Sequence, residues 1–372
     1  MFSVIKSCSQ GLQDYLVKNY ETGVDVFEFR DLLARFSTNI ISSVAFGIDN
    51  DCINEPNNIF RTIGAKLFKP NLRNGFRGMI QILMPKMFFK LGLRTVDADV
   101  EEFLFSIVKQ TVEFREQNNF TRNDLMQQLI QLKNQGYVSV DSKSEIDKND
   151  EEIATKLTIN EVVAQCLVFY VAGFETTSST MSFCLFELAR NPEALKKVQA
   201  EVDNVFKTAG PEGVSYDMLD KLTYLDCCIN ETMRLYPSLP FLFRECSKDY
   251  NVPDSKLVIH EGTTVFISLM GLHRDPDIFK NPLQFKPEIF LNSSNGNGNS
   301  EGLFYMPFGD GPRICIGMRM GKLTVKLGLS MILSKFNVEL TDKEMMNEVL
   351  EFHPNQAVLN PLKPFNLKIT TR

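Results

Sequence analysis

The 372-residue chain contains no tryptophan and only three histidines, His260, His273 and His353. Three scattered imidazoles are too few for a histidine-built metal centre. No C-x-x-C pair occurs among its eight cysteines, which excludes a zinc ribbon and a thioredoxin-type redox site. Eight cysteines in a chain of this length are also far from a disulfide-dense scaffold. Positive charge is in deficit, with 40 Lys and Arg against 46 Asp and Glu, a net charge of −6. That balance argues against a general nucleic-acid binder, and no nucleic-acid partner is expected. No stretch reaches the roughly 18 uninterrupted apolar residues of a membrane span. The opening Met1-Phe2-Ser3-Val4-Ile5-Lys6 is not a charged region followed by a long apolar run, so no signal peptide is expected.

What remains is ordinary globular composition, 44% hydrophobic and 23% charged, with 30 phenylalanines. A sizeable core follows. Cys166, Cys184, Cys227 and Cys228 stand among apolar neighbours and read as reduced, buried small hydrophobes, which favours a cytosol-facing chain. In such a compartment the sequon at Asn292-Ser293-Ser294 is a chance match. Residues 26–47 read as an amphipathic helix, with Phe29, Leu32, Leu33, Phe36, Ile40 and Val44 at helical spacing and Gly47 as a stop. Residues 72–94 mix Phe76, Met79, Ile80, Met84, Met87, Phe88 and Phe89 with Arg73, Arg77, Lys86, Lys90 and Arg94. That blend suits either a segment lying in a membrane interface or a core-facing helix pair broken at Pro85. Residues 136–156 read as a polar surface loop, and 292–300 as a flexible low-complexity stretch.

The longest helix spans 158–190. Thr158-x-x-Glu161 is a capping-box start, and Asn191-Pro192 ends it. Its middle, Ala172-Gly173-Phe174-Glu175-Thr176-Thr177, has poor propensity for the interior of a long apolar helix. Gly173 lets something approach the backbone closely. A carboxylate beside two hydroxyls needs partners, water or a ligand; a kinked helix with hydroxyls bonded back to carbonyls is the plain alternative. A second helix over 222–236 carries Glu231-x-x-Arg234, an i,i+3 pair on one face.

The strongest local signal runs from Phe304 to Gly317, where two prolines and three glycines surround a single Cys315. That makes a loop, and an apolar-periodic helix over 318–336 follows. Cys315 therefore sits at a loop-to-helix junction, where helix N-terminal amides favour thiolate. Such a thiolate is a nucleophile or a soft metal ligand. With no histidine nearby in sequence to act as base, metal ligation is preferred over a cysteine hydrolase.

Phe308-x-x-Gly311-x-Arg313-x-Cys315-x-Gly317 resembles the haem-binding loop of the cytochrome P450 family. Glu231-x-x-Arg234 and Ala172-Gly173-x-Glu175-Thr176-Thr177 match two further family signatures, in family order. The wording around them (FYVAGFETTSSTMSF, INETMRLYPSLPFLFREC, GLHRDPDIF) resembles the insect microsomal branch that handles foreign compounds. The resemblance implies a mainly helical fold with small β-sheets, residues 1–372 forming one family domain. It implies haem b with Cys315 as axial thiolate, Arg313 and Arg244 as propionate partners, and Phe308, Gly311, Gly317 and Gly173 at the cofactor. Thr176 with Glu175 would be the acid–alcohol pair that orders water and delivers protons during oxygen activation. Glu231 and Arg234 would be the structural pair under the thiolate loop. Pocket walls would come from Phe169, Ala172, Phe174, Leu239 to Leu242 and Gln356 to Val358. The activity implied is insertion of one oxygen atom from O2 into small apolar substrates such as xenobiotics, plant toxins, insecticides or endogenous lipids. Electrons would come from NADPH through a reductase docked near Lys322 and Lys326, at the cytoplasmic face of the endoplasmic reticulum.

Two departures qualify that expectation. The family's Pro-Glu-Arg-Phe motif is Pro287-Glu288-Ile289-Phe290 here, and an apolar Ile289 cannot donate to Glu231. The pair must then satisfy itself, since losing a buried partner costs on the order of a few kcal/mol. Full-length relatives also carry an N-terminal anchor, an early sheet and a Trp-x-x-x-Arg helix. This chain is expected to start after them, N-terminally truncated. The rival reading is accordingly a non-catalytic haem binder or a reductase-occupying isoform.

Overall fold

The structure, a computed structural model, describes residues 1–68, 72–94, 96–138, 156–210, 213–291, 304–354 and 356–372. The loop expected at 136–156 lies largely outside these residues, and the 292–300 stretch with its sequon lies wholly outside them. The described elements begin with α1 (Phe2–Glu21), β1 (Val26–Phe27), α2 (Phe29–Ile41), α3 (Ile59–Phe68), α4 (Leu72–Leu83), α5 (Pro85–Lys90), α6 (Ala98–Gln117) and α7 (Leu125–Gln135). Next come α8 (Ile159–Arg190), α9 (Pro192–Lys207), α10 (Tyr216–Leu219), α11 (Thr223–Leu235), β2 (Phe241–Glu245), β3 (Tyr250–Asn251) and β4 (Val258–Ile259). The chain closes with β5 (Thr264–Ser268), α12 (Leu269–His273), α13 (Met318–Leu333), β6 (Phe336–Leu340) and β7 (Leu367–Thr371). The fold is mainly helical with small antiparallel sheets, as expected.

Two compact units divide the chain. The first comprises Met1–Val24, Arg30–Lys69 and Arg94–Ser178; the second comprises Asp25–Phe29, Pro70–Leu93 and Ser179–Arg372.

In the first unit the helical periodicity translates directly into burial. Leu32, Leu33, Phe36, Ile40 and Val44 are all buried. The last turn of this helix, Ser42–Phe46, widens to π geometry before Gly47 stops it at φ 70°, a left-handed conformation that favours glycine. Phe46, Phe60, Phe103, Tyr170 and Phe174 form an aromatic cluster with centroids 5.3 to 5.7 Å apart along its chain of contacts. The start of α8 is capped as read: Thr158 N donates to Glu161 Oε2 (2.7 Å), and Glu161 N donates to Thr158 Oγ1 (3.3 Å). Its end falls at Arg190, just before Asn191-Pro192.

In the second unit β1, β7 and β6 form a three-stranded antiparallel sheet, while β2 pairs with β5 and β3 with β4. The N-terminus of α11 is capped through tertiary structure. Glu201 on α9 accepts from Tyr224 N (2.8 Å) and Leu225 N (3.0 Å), satisfying amides that a helix start leaves unpaired. The helix pair α4–α5 breaks at Pro85, as the sequence suggests. Yet Phe76, Met79, Met84, Phe89 and Leu91 are exposed on it, and among its large side chains Phe88 is buried. Among the described residues, no helix is long and apolar enough to cross a membrane.

Candidate functional site: an exposed thiol on a glycine-rich loop

All eight cysteines are unpaired, and Cys315 is the exposed one. Burial pushes the thiols of Cys166 and Cys184 up to about 12 and that of Cys227 to about 11. Those groups are inert, as expected for buried small hydrophobes. Cys315 is held differently. Gly309 and Gly311 sit at φ 74° and 75°, which a side chain tolerates poorly. They turn the chain so that Cys315 N donates to Phe308 O (2.9 Å) and Met318 N donates to Cys315 O (3.3 Å) at the start of α13. A Cβ on Gly317 would lie in ordinary van der Waals contact with Cys315 Sγ, at 3.9 Å. Residues Asp310 to Ile316 are exposed throughout, and Ile314 and Ile316 (82% exposed) flank the thiol.

Strand β2 brings Arg244 to this loop. Its Nη2 donates to Asp310 O (3.4 Å), and a Cβ on Gly309 would meet Leu242 Cδ1 at 3.7 Å. The guanidinium of Arg313 is exposed two residues before the thiol. The thiol, Arg313 and the flanking Ile314 and Ile316 thus share one exposed loop, which Arg244 of β2 meets at Asp310, all within the second unit. The same unit joins two of the stretches expected as pocket walls: Leu359 N donates to Ser238 O (3.0 Å), beside Leu239–Leu242 and Gln356–Val358.

The Glu231–Arg234 pair is buried, both side chains at most 2% exposed. Arg234 Nε donates to Glu231 Oε2 (2.7 Å) and Nη2 to Glu231 Oε1 (2.8 Å). Its other N–H groups reach the carbonyls of His273 (2.8 Å), Pro282 (2.7 Å) and Gln284 (3.1 Å). All five donors of the guanidinium are used. The partner that Ile289 cannot supply is replaced by a backbone amide, Lys286 N, which donates to Glu231 Oε1 (2.8 Å). Ile289 itself packs against the apolar cluster of Cys227, Phe279, Phe290 and Tyr305.

Two residues that sequence reading passed over carry the pair's influence to the loop. Tyr305 OH donates to Asn230 O (2.9 Å), and His273 Nε2 accepts from Met306 N (3.2 Å). The His273 imidazole is therefore buried and committed to holding backbone, not free to serve a cysteine nucleophile. The two lysines expected to face a reductase behave unlike a solvated helix face. Lys326 is buried, donating to Leu219 O and paired with Asp226. Lys322 is half-buried with its ammonium 5.6 Å from the Phe308 ring centroid, and burial pulls its pKa down. Sequence alone could not distinguish their environment, because helical spacing does not reveal which face packs.

The acid–alcohol candidates lie in the first unit. Glu175 is paired with Arg30 of α2, a partner 145 positions away that no local pattern signals. Thr176 Oγ1 donates to Ala172 O (2.7 Å), the back-bond of the plain helical reading. Val168 and Ala172 are exposed and Thr176 half-buried, an i,i+4 stripe along α8. Phe174 is on the other side, in the aromatic cluster, and so is not on this open stripe. The close approach expected at Gly173 is made by Ile41: a Cβ would fall 2.7 Å from Ile41 Cδ1. This glycine thus permits close packing of α2 on α8.

A cytochrome P450 family model matches residues 1–369. The chain belongs to the cytochrome P450 family. It is 40% identical over 344 residues to a probable cytochrome P450 6d5 of Drosophila melanogaster, covering 91% of this chain and 66% of that protein. It is 39% identical over 387 residues to cytochrome P450 6d3 of Musca domestica, covering 100% of this chain and 72% of that one. Cytochrome P450 6a2 of Drosophila melanogaster is 39% identical over 345 residues, covering 92% and 66%. This P450 chain therefore spans 66–72% of the length of these insect relatives.

The His273 contact gives the loop of this P450 an acid sensitivity. Burial, with Arg234 nearby, lowers the His273 pKa from 6.5 to about 4. The unfolded chain then binds more protons between those values, so stability present above pH 6.5 is lost as pH falls towards 4, by about 3 kcal/mol at most. Urea denaturation at pH 7 and pH 4.5 is expected to give a smaller difference for His273→Gln than for the wild type.

Proposed function

We propose that the chain is a haem-thiolate monooxygenase that inserts one atom of O2 into small apolar substrates, with NADPH supplying electrons through a cytochrome reductase. The observation that carries this is the exposed Cys315 thiol between Ile314 and Ile316, with Arg244 and Arg313 beside it. That donor set fits haem b. A soft thiolate would hold the iron, apolar flanks would suit a macrocycle, and guanidiniums would pair with propionates. Among the described residues no group of three or more His, Cys, Asp or Glu could hold a metal ion, and a single thiolate is the ligand that haem needs from this side. When bound, haem would supply the electron-rich iron centre that favours O–O cleavage.

The chain's own residues would do the rest. Cys315 would supply the thiolate that holds the haem iron, turned outward by the bends at Gly309 and Gly311. Arg244 and Arg313 would orient the cofactor, and Phe308 would pack beside the thiolate loop. Glu175 would take protons from solvent, and Thr176 would hold the water that passes them on. Leu239 to Leu242 would offer apolar surface to substrate. Xenobiotics, plant toxins, insecticides and endogenous lipids share the required chemistry, a C–H bond in an apolar frame.

A microsomal setting is supported by α4–α5. Phe76 and Phe89 are 62% and 70% exposed, with Lys86 and Lys90 exposed beside them. Apolar side chains bordered by cations suit the headgroup boundary of a bilayer. In a sedimentation assay with anionic phospholipid vesicles, Phe76→Ser/Phe89→Ser is expected to pellet less than the wild type; equal pelleting would remove this reading.

The activity is tested with the haem-loaded chain, NADPH, a cytochrome reductase and an apolar aromatic substrate under 18O2. The expected product carries one 18O atom, and Cys315→Ala gives none. Haem uptake with no labelled product from any of a panel of apolar compounds would favour the non-catalytic haem binder instead.

A further inference from the structure

We propose that Arg30 is a positioning residue for the proton-delivering carboxylate of Glu175. The inference rests on the acid–alcohol reading above and adds a residue on a different helix to it.

Arg30 stands in the first turn of α2, and its Nη2 pairs with Glu175 Oε1 on α8. The two side chains are 17% and 14% exposed, so the pair is largely shielded from solvent screening. It is one of three contacts from a single face of α2. Ser37 Oγ donates to Phe174 O (2.9 Å), and Ile41 faces Gly173. Positions 30, 37 and 41 are seven and four residues apart, which is helical spacing for one face. That face meets α8 at three consecutive residues, Gly173, Phe174 and Glu175. Ala34, buried on the same face, adds no bulk between Arg30 and Ser37.

The arrangement restrains the carboxylate in a way the helix alone would not. Glu175 has several rotatable bonds, and a carboxylate that moves protons must be held near its acceptor. Arg30 occupies one oxygen, Oε1, and so fixes the direction of the other. Thr176, the next residue, directs its hydroxyl hydrogen at Ala172 O. Both polar groups are thus individually oriented, one by a guanidinium from α2 and one by its own helix.

The balanced reactions give the readout. Productive turnover is RH + O2 + NADPH + H+ → ROH + H2O + NADP+. When proton delivery is misdirected, the same two electrons appear as peroxide: O2 + NADPH + H+ → H2O2 + NADP+. Freeing Glu175 should shift flux from the first reaction to the second without changing how haem is ligated.

The test compares wild type, Arg30→Met, Arg30→Lys and Glu175→Gln in the full chain. A first readout needs no cofactor. Carbodiimide activation of the Glu175 carboxyl and its coupling to an added amine, followed by peptide mass spectrometry, is expected to rise about threefold in Arg30→Met and to stay near wild type in Arg30→Lys. A second readout is the fraction of NADPH electrons recovered as peroxide in the haem-loaded protein with reductase. It should rise in Arg30→Met and Glu175→Gln and be restored by Arg30→Lys. If Glu175→Gln leaves peroxide yield unchanged, the acid–alcohol reading fails and the proposal with it. If Glu175→Gln raises peroxide while Arg30→Met alters neither labelling nor peroxide, the proposal alone is overturned.

Discussion

The buried Glu231–Arg234 pair is the interaction on which the thiol loop depends. A guanidinium removed from water must use its donors, and this one uses all five: two on Glu231, and three on the carbonyls of His273, Pro282 and Gln284. Those carbonyls belong to α12 and the segment that follows it, so the pair ties that stretch of chain to α11. From there the constraint reaches the loop through His273 to Met306 and through Asn230 to Tyr305. Nine residues after Met306 stands Cys315. Breaking such a pair by removing one member costs roughly 3–5 kcal/mol, because an unpaired buried charge is left behind.

The substitution at Ile289 is informative against that background. A third ionic partner would have given Glu231 another donor. The chain uses Lys286 N for that purpose and places Ile289 with the apolar cluster around Phe290 and Tyr305. Because a neutral amide replaces a cation, the network keeps one carboxylate against one guanidinium, balanced in charge and in hydrogen bonds. Tyr305 joins both arrangements, with its ring against Phe290 and its hydroxyl on Asn230. The apolar cluster and the polar network therefore support the loop together.

Much of this was legible in sequence where the signal is local. The capping box at Thr158, the stop at Asn191-Pro192, the buried stripe of α2 and the glycine-built turn before Cys315 each follow from residues within a few positions of one another. What sequence could not convey is which neighbour arrives from elsewhere in the chain. Gly173 was rightly read as a site of close approach, but the visitor is Ile41. Glu175 was rightly read as needing a partner, but nothing marks Arg30. Phe174 stands among residues that the sequence offers as pocket walls, but one residue is 100° of helix, enough to turn it into the aromatic cluster. Lys326 looked like a docking charge and is instead buried with Asp226. The same limit explains why His273, carrying no signal beyond its rarity, was not seen as a support for Met306.

The most direct test of the account is the carbon monoxide difference spectrum of the dithionite-reduced protein, expressed with haem supplied, for the wild type and for Cys315→Ala. Thiolate ligation predicts a strongly red-shifted Soret band in the wild type that is absent from the variant. A chain that takes up no haem, or one whose spectrum is indifferent to the loss of Cys315, would contradict it.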